Sequence, residues 1–203
     1  MLGLSTLLAA TMAVGSGSAS LPSHGDLEGD GVAETVELDP VPGQSAPRAR
    51  VAITKRGVTT RTPWYPAWKL LVGDVDRDGK AEIVLALART DRRDKRVRNR
   101  LYVYSWAGEG LVDRFRGSSF PRPFIDFALE RSARDAGARV VLLALDLPTR
   151  SFRREVYRWM HFGFAREESV PLSCPHVFPD DPDRTMAPGL LEQCRINSTP
   201  ETP

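Results

Sequence analysis

The chain has 203 residues, 41% of them hydrophobic and 27% charged, with a formal net charge of only +2. That is enough for one domain with a core, too polar for a membrane protein, and too evenly charged to point to nucleic acid. Sixteen prolines and sixteen glycines punctuate the chain often, which suits short strands and turns.

The first stretch, Met1 to Gly15, is the only sustained apolar run without charge, and small residues follow it up to Ser20. This is the outline of a secretory signal over residues 1–20, with cleavage after Ala19 or Ser20. No Lys or Arg precedes Arg48, so the basic leader of such signals is missing. The run is too short and too rich in Gly and Ser for a spanning helix. Export predicts a secreted, periplasmic or cell-surface protein with no transmembrane span after signal removal. An oxidising compartment then predicts a disulfide between the two cysteines, Cys174 and Cys194.

Beyond the signal, helical periodicity is scarce, and short runs of Val, Ile, Leu, Tyr and Phe alternate with turn residues. They predict strands at Ala33–Leu38, Arg50–Thr54, Val58–Thr62, Trp68–Val72, Glu82–Ala88 and Leu101–Trp106. Further strands are expected at Leu111–Phe115, Phe124–Ala128, Arg139–Leu145, Glu155–Met160 and Gly163–Glu167. The fold class is all-β. From Pro171 the pattern gives way to prolines and small polar residues. The expected organisation is a strand domain over 21–170 and an irregular tail over 171–203, which includes the formal sequon Asn197-Ser198-Thr199.

Internal repetition narrows the architecture. Gly25-Asp26-Leu27-Glu28-Gly29-Asp30-Gly31-Val32-Ala33-Glu34 returns as Gly73-Asp74-Val75-Asp76-Arg77-Asp78-Gly79-Lys80-Ala81-Glu82. Val103-Tyr104-Ser105-Trp106 returns as Val156-Tyr157-Arg158-Trp159, and the run from Ala81 resembles that from Ala138. About three units of blade size follow one another, which predicts a propeller-like array of four-stranded antiparallel blades. The first unit lacks a full leading strand. A closed ring needs at least four blades, so three require an open array, a compact three-sheet body or self-association.

The repeated loops carry the strongest chemical signal. Each places acids at positions 1, 3, 5 and 9 and glycine at position 6. These are Asp26, Glu28, Asp30 and Glu34 in the first loop, and Asp74, Asp76, Asp78 and Glu82 in the second. Alternate acids on a tightly curled chain converge on one point, and a hard cation relieves their repulsion. Calcium, with its six to eight flexible oxygen ligands, suits the set, and the carbonyls of Val32 and Lys80 complete it at position 7. An EF-hand is excluded by Leu85 at position 12 of the second loop and by the absence of flanking helices.

The Asp-x-Asp-x-Asp-Gly-x-x-Glu loop, with glycine before it and a strand after it, resembles the FG-GAP and VCBS repeats. The resemblance extends over roughly Gly25 to Glu168. It implies the blades of integrin-α-type β-propellers and of bacterial exported proteins, whose loops join two strands of a blade and bind calcium. The Phe-Gly and Gly-Ala-Pro signature of that family is not evident in this chain. The third unit departs from the loop pattern: Arg139 stands where the metal-binding glutamate falls, which predicts no calcium there and either an ion pair with a nearby acid or a plain polar hairpin.

Other candidates are weaker. Arg89 to Arg100, with seven basic residues and two aspartates, reads as a solvated hairpin loop or a contact for an anionic surface. Trp106 and Trp159 recur at one place in their units and read as core; Trp64 and Tyr65 sit between prolines and read as core or inter-blade packing, with a more exposed stacking surface as the alternative. His24, His161 and His176 lack metal-like spacing, and no nucleophile elbow, phosphate loop or Cys-x-x-Cys occurs. The expected function is a non-catalytic, calcium-binding interaction module with a protein or glycan ligand and no nucleic-acid partner. The alternatives are a polysaccharide-acting hydrolase or lyase, and a structural envelope subunit.

Overall fold

A computed structural model describes residues 22–43, 47–90, 95–117, 120–131, 137–183 and 185–196. The signal over 1–20 and the sequon at Asn197 lie outside the described residues. The chain is 57% strand with almost no helix, which places it in the all-β class.

Three antiparallel sheets follow one another along the chain. Sheet 1 contains β1 (Ser23–Gly25), β2 (Glu34–Pro40), β3 (Ala49–Lys55) and β4 (Val58–Arg61). Sheet 2 contains β5 (Ala67–Gly73), β6 (Glu82–Arg89), β7 (Arg98–Trp106) and β8 (Leu111–Arg116). Sheet 3 contains β9 (Phe124–Arg131), β10 (Ala138–Asp146), β11 (Ser151–Met160) and β12 (Gly163–Ser173), with β13 (Arg195–Ile196) added at its edge. Every strand expected from the sequence is present, and the leading strand of the first unit is indeed short. The sequence repeats are also structural repeats. The third-to-fourth strand pairing shifts register between Val103 and Tyr104 in sheet 2, and between Val156 and Tyr157 in sheet 3.

Period-two alternation decides which sheet faces which. From sheet 1, Val36, Val51 and Ile53 pack with Ile83, Leu85, Leu87, Tyr102, Tyr104 and Trp106 of sheet 2. The intervening residues of sheet 2, among them Val84, Ala86, Leu101 and Val103, pack with Phe127, Val140, Leu142 and Tyr157 of sheet 3. Sheet 2 is therefore buried on both faces, which is why β6 reads as a continuous apolar run. Trp106 is core, as expected, and Trp159 lies edge-on to Phe115 and Phe164.

The two outer faces are finished differently. That of sheet 1 is polar: Arg50 and Arg61 hold Asp39, and Thr54 bonds Thr59. The face of sheet 3 is apolar, and the tail covers it. Ile125, Leu143, Leu145 and Phe152 meet Leu190, with Phe178, Ala187 and Leu191 packed alongside. The tail is more regular than the sequence suggests. It holds a short helical turn, α1 (Leu190–Gln193), and β13, and the Cys174–Cys194 disulfide closes it. β12 also runs past Pro171. That is permissible because β13 pairs only with Leu172 and Ser173, leaving Pro171 on a free edge.

Glycine sets the spacing between sheets. A Cβ on Gly25 would lie 2.5 Å from Val72 Cγ1 and 2.7 Å from the Ala81 Cβ. This contact lets the Ala81 amide reach the Asp26 carbonyl at 2.8 Å. Gly73 repeats the arrangement against Leu129 and Ala138, and the Ala138 amide reaches the Asp74 carbonyl at 2.6 Å. The prediction is that Gly25→Ala destabilises by about 1–3 kcal/mol through overpacking, read as a lower urea midpoint at unchanged slope. Replacing both cysteines by serine lowers stability by roughly 3 kcal/mol, since the bridge closes a 20-residue separation.

Candidate metal centre

Loop 1 (Asp26–Glu34) joins β1 to β2, and loop 2 (Asp74–Glu82) joins β5 to β6. Their hydrogen bonds repeat position by position. At position 1, Asp26 accepts the amides of Gly29 and Gly31, both at 2.7 Å, and Asp74 accepts those of Arg77 (2.6 Å) and Gly79 (3.2 Å). At position 5, Asp30 accepts the Val32 amide at 3.0 Å, and Asp78 accepts the Lys80 amide at 2.9 Å. Val32 and Lys80 are thus fixed through their N–H groups. At position 9, Glu34 accepts the Leu27 amide at 2.8 Å, and Glu82 accepts the Val75 amide at 2.9 Å. Both glutamates are buried.

Two left-handed residues curl each loop. Position 6 is glycine in both, Gly31 at φ 80° and Gly79 at φ 88°. Position 4 is Gly29 in loop 1 and Arg77, at φ 69°, in loop 2. Glycine takes this conformation freely, whereas arginine takes it with strain.

The loops differ at their centres. In loop 2, ligand atoms of Asp74, Asp76 and Asp78 lie within 4.8 Å of one another. Glu82, beside them, accepts the Val75 amide and lies near the Asp76 and Asp78 carboxylates and the Arg114 guanidinium. Burial, with the Asp76 and Asp78 charges adding to it, pushes its carboxyl up to about 7 against the pull of the Val75 amide. Arg114 of β8 touches Asp76 and lies 4.0 Å from Asp78. In loop 1 the amine of Lys55 stands among the acids, 2.6 Å from Glu28, 2.7 Å from Asp30 and 3.0 Å from Glu34. Bonds to Asp30 and then Glu28 raise the Lys55 pKa, and the Lys55 bond lowers that of Asp30. The donor set of loop 2 therefore fits a hard cation, whereas loop 1 already holds an ammonium.

Sheet 3 inverts the charges. Arg139, at the register of Glu34 and Glu82, and Arg158 both turn to Glu167, at 3.6 and 2.7 Å. Of the two readings of Arg139, an ion pair or a plain polar hairpin, the structure has the ion pair, and its partner Glu167 is not identified by the sequence. Sequence reasoning also missed Lys55 and Arg114. Aligning the third strands of the units would have placed Lys55 beside Ser105 and Arg158.

Comparison of the chain with models of known protein families and with curated proteins finds no match to either.

The buried acids outside the loops are engaged structurally. Asp126 bonds Lys69 at 2.6 Å and accepts the Leu191 amide of α1 at 3.0 Å, joining sheets 2 and 3 to the tail. Glu155 is sealed from solvent and takes Arg122 (2.7 Å), Arg166 (3.0 Å) and the Tyr157 hydroxyl (2.6 Å). A small pocket of about 50 Å³ lined by Arg98, Asn99, Arg122 and Asp183 has room for water. Trp64 is 39% exposed, with the Arg50 guanidinium 4.4 Å above its ring. The basic run from Arg89 passes through residues 91–94, outside the described set.

Burial raises the Glu155 carboxyl, but Tyr157, Arg122 and Arg166 outweigh it and the net direction is down. A lowered folded-state pKa means the unfolded chain takes up the proton first. The Glu155 contribution is therefore complete above the ordinary value of 4.5 and is lost as pH falls through the lower folded value. The expected result is an unfolding free energy that drops below about pH 4.5, with a shallower slope in Glu155→Gln. At neutral pH that variant loses roughly 2–3 kcal/mol, discounted from a fully buried pair because both guanidinium groups reach water.

Proposed function

We propose that this chain is an exported, calcium-stabilised array of FG-GAP/VCBS-like blades that serves as a non-catalytic binding or interaction module. One observation carries the metal: three carboxylates of loop 2 converge beside a buried glutamate that is bonded to the Val75 amide. The bound ion neutralises the cluster, and the ligands are Asp74, Asp76, Asp78 and Glu82, with the Lys80 carbonyl at position 7. Calcium is the natural ion for a flexible, all-oxygen set.

The blade reading is supported by three consecutive antiparallel meanders, with the same acidic loop in sheets 1 and 2 and the same bulge in sheets 2 and 3. A polar outer face on sheet 1 and a tail over sheet 3 make an open array stable without ring closure. Export is supported by the apolar start and the disulfide. Among the described residues no helix is long and apolar enough to cross a membrane. The non-catalytic reading is supported by the engagement of Asp126 and Glu155 in structural pairs, which leaves no facing pair of working carboxylates among these acids. The ligand belongs to the protein or glycan class and meets the exposed sheet edges and loops.

The test is thermal melting of the mature protein with calcium, with magnesium and with chelator. Calcium at one hundred times its Kd raises Tm by about 5–10 °C, magnesium by much less, and Asp74→Ala with Asp78→Ala abolishes the rise. Identical curves in all three conditions rule out the metal.

A further inference from the structure

The register aligns the three sheets residue for residue at this joint. Gly25 pairs with Glu34, Gly73 with Glu82, and Glu130 with Arg139. On the next strand Thr54, Tyr104 and Tyr157 occupy one level, opposite Thr35, Ile83 and Val140. The residues that follow them are Lys55, Ser105 and Arg158. These three differ in charge, and the loops beside them differ to match.

Loop 2 lies at the level of the uncharged Ser105, and the cation beside it is Arg114 of β8, which touches Asp76 and lies 4.0 Å from Asp78. Loop 1 faces Lys55, whose amine meets the acids at positions 3, 5 and 9, three of the four carboxylates that the repeat provides. The fourth, Asp26, is occupied with loop amides, as Asp74 is in loop 2. Calcium takes oxygens at about 2.3–2.6 Å, only slightly closer than this ammonium holds them. Both cations need the point on which the acids converge, so they exclude each other. The lysine is tethered, which gives it a high effective concentration and spares it the entropy a free ion loses on binding.

We propose that Lys55 is a built-in cation that takes the place of the metal in loop 1, so that of the two acidic loops only loop 2 accepts a divalent ion. The loop 1 half stands on the lysine geometry alone; the loop 2 half rests on the function proposed above. Lys55 then ties sheet 1 together independently of calcium, while the joint between sheets 2 and 3 responds to it.

The experiment counts calcium ions bound per chain by equilibrium dialysis, with circular dichroism as the check on folding. Wild type is expected to bind one ion, and Asp74→Ala with Asp78→Ala none. Lys55→Ser, which copies the residue in sheet 2, is expected to bind two, and the triple variant one. Two ions in wild type, one surviving the loop 2 substitutions, would overturn the lysine proposal and leave the loop 2 reading intact. No ion in wild type but one in Lys55→Ser would do the reverse. A folded Lys55→Ser with no added ion overturns the lysine proposal. A second measurement needs no variant: the acetylation rate of Lys55 relative to exposed Lys95, which lies outside both loops, by mass spectrometry. Lys55 is expected to react slowly and equally with and without saturating calcium. Faster reaction in calcium means that the ion expels the amine, and the proposal fails.

Discussion

A carboxylate sealed from water at the start of a strand is the constraint around which this molecule is arranged. Glu34 and Glu82 open β2 and β6 with essentially no exposure, and each accepts the amide of the second loop residue. That bond pulls the loop into its curl. The curl turns the carbonyl at position 1 outward, and that carbonyl takes an amide of the next sheet. The joint between sheets thus depends on a buried negative charge, which is unfavourable until something positive stands near it. Loop 1 supplies a lysine. Loop 2 has an arginine at its rim and a glutamate driven toward protonation.

From that joint the stack grows in one direction. Sheet 1 meets sheet 2, sheet 2 meets sheet 3, and the tail meets the far face of sheet 3. Such a linear arrangement needs its ends finished differently from its middle. The middle sheet is apolar on both faces, the first is polar on its outer face, and the last borrows an apolar cover held by one disulfide. Asp126 is central to that cover. It takes Lys69 from sheet 2 and the Leu191 amide from the tail at once, so the tail is docked by a buried charge as well as by Leu190.

The sequence made the strands legible because alternation and turn residues are local signals. The repeat made the loops legible because Asp, Gly and Glu recur at fixed spacing. Lys55, Arg114 and Glu167 were not legible for a shared reason: each meets its partners through a contact that only strand pairing creates. β13 and α1 were hidden differently. Two-residue pairing and one helical turn leave no periodicity, and both exist because the disulfide and Asp126 hold that segment in place. Pro171 misled at the end of β12 because proline is excluded from paired positions and not from an edge.

Arg114 and Glu167 show how a small backbone irregularity sets the charge of a joint. Both are the extra residue where the fourth strand shifts register against the third: Arg114 between Asp113 and Phe115, Glu167 between Arg166 and Glu168. A bulge re-aims its side chain, and here it aims a charge at the loop region. In sheet 2 the bulged residue is basic and meets acids; in sheet 3 it is acidic and meets Arg139 and Arg158. Sheet 1 pairs Ile53 with Thr60 and Thr54 with Thr59 without a bulge, and there the charge comes from the third strand as Lys55. The three residues at one register and the charges they face change sign together: Glu34 faces Lys55, Glu82 faces Arg114, and Arg139 faces Glu167. What the three sheets share is therefore pairing of opposite charge at the joint: Lys55 with the acids of loop 1, Arg114 with Asp76, and Arg139 and Arg158 with Glu167.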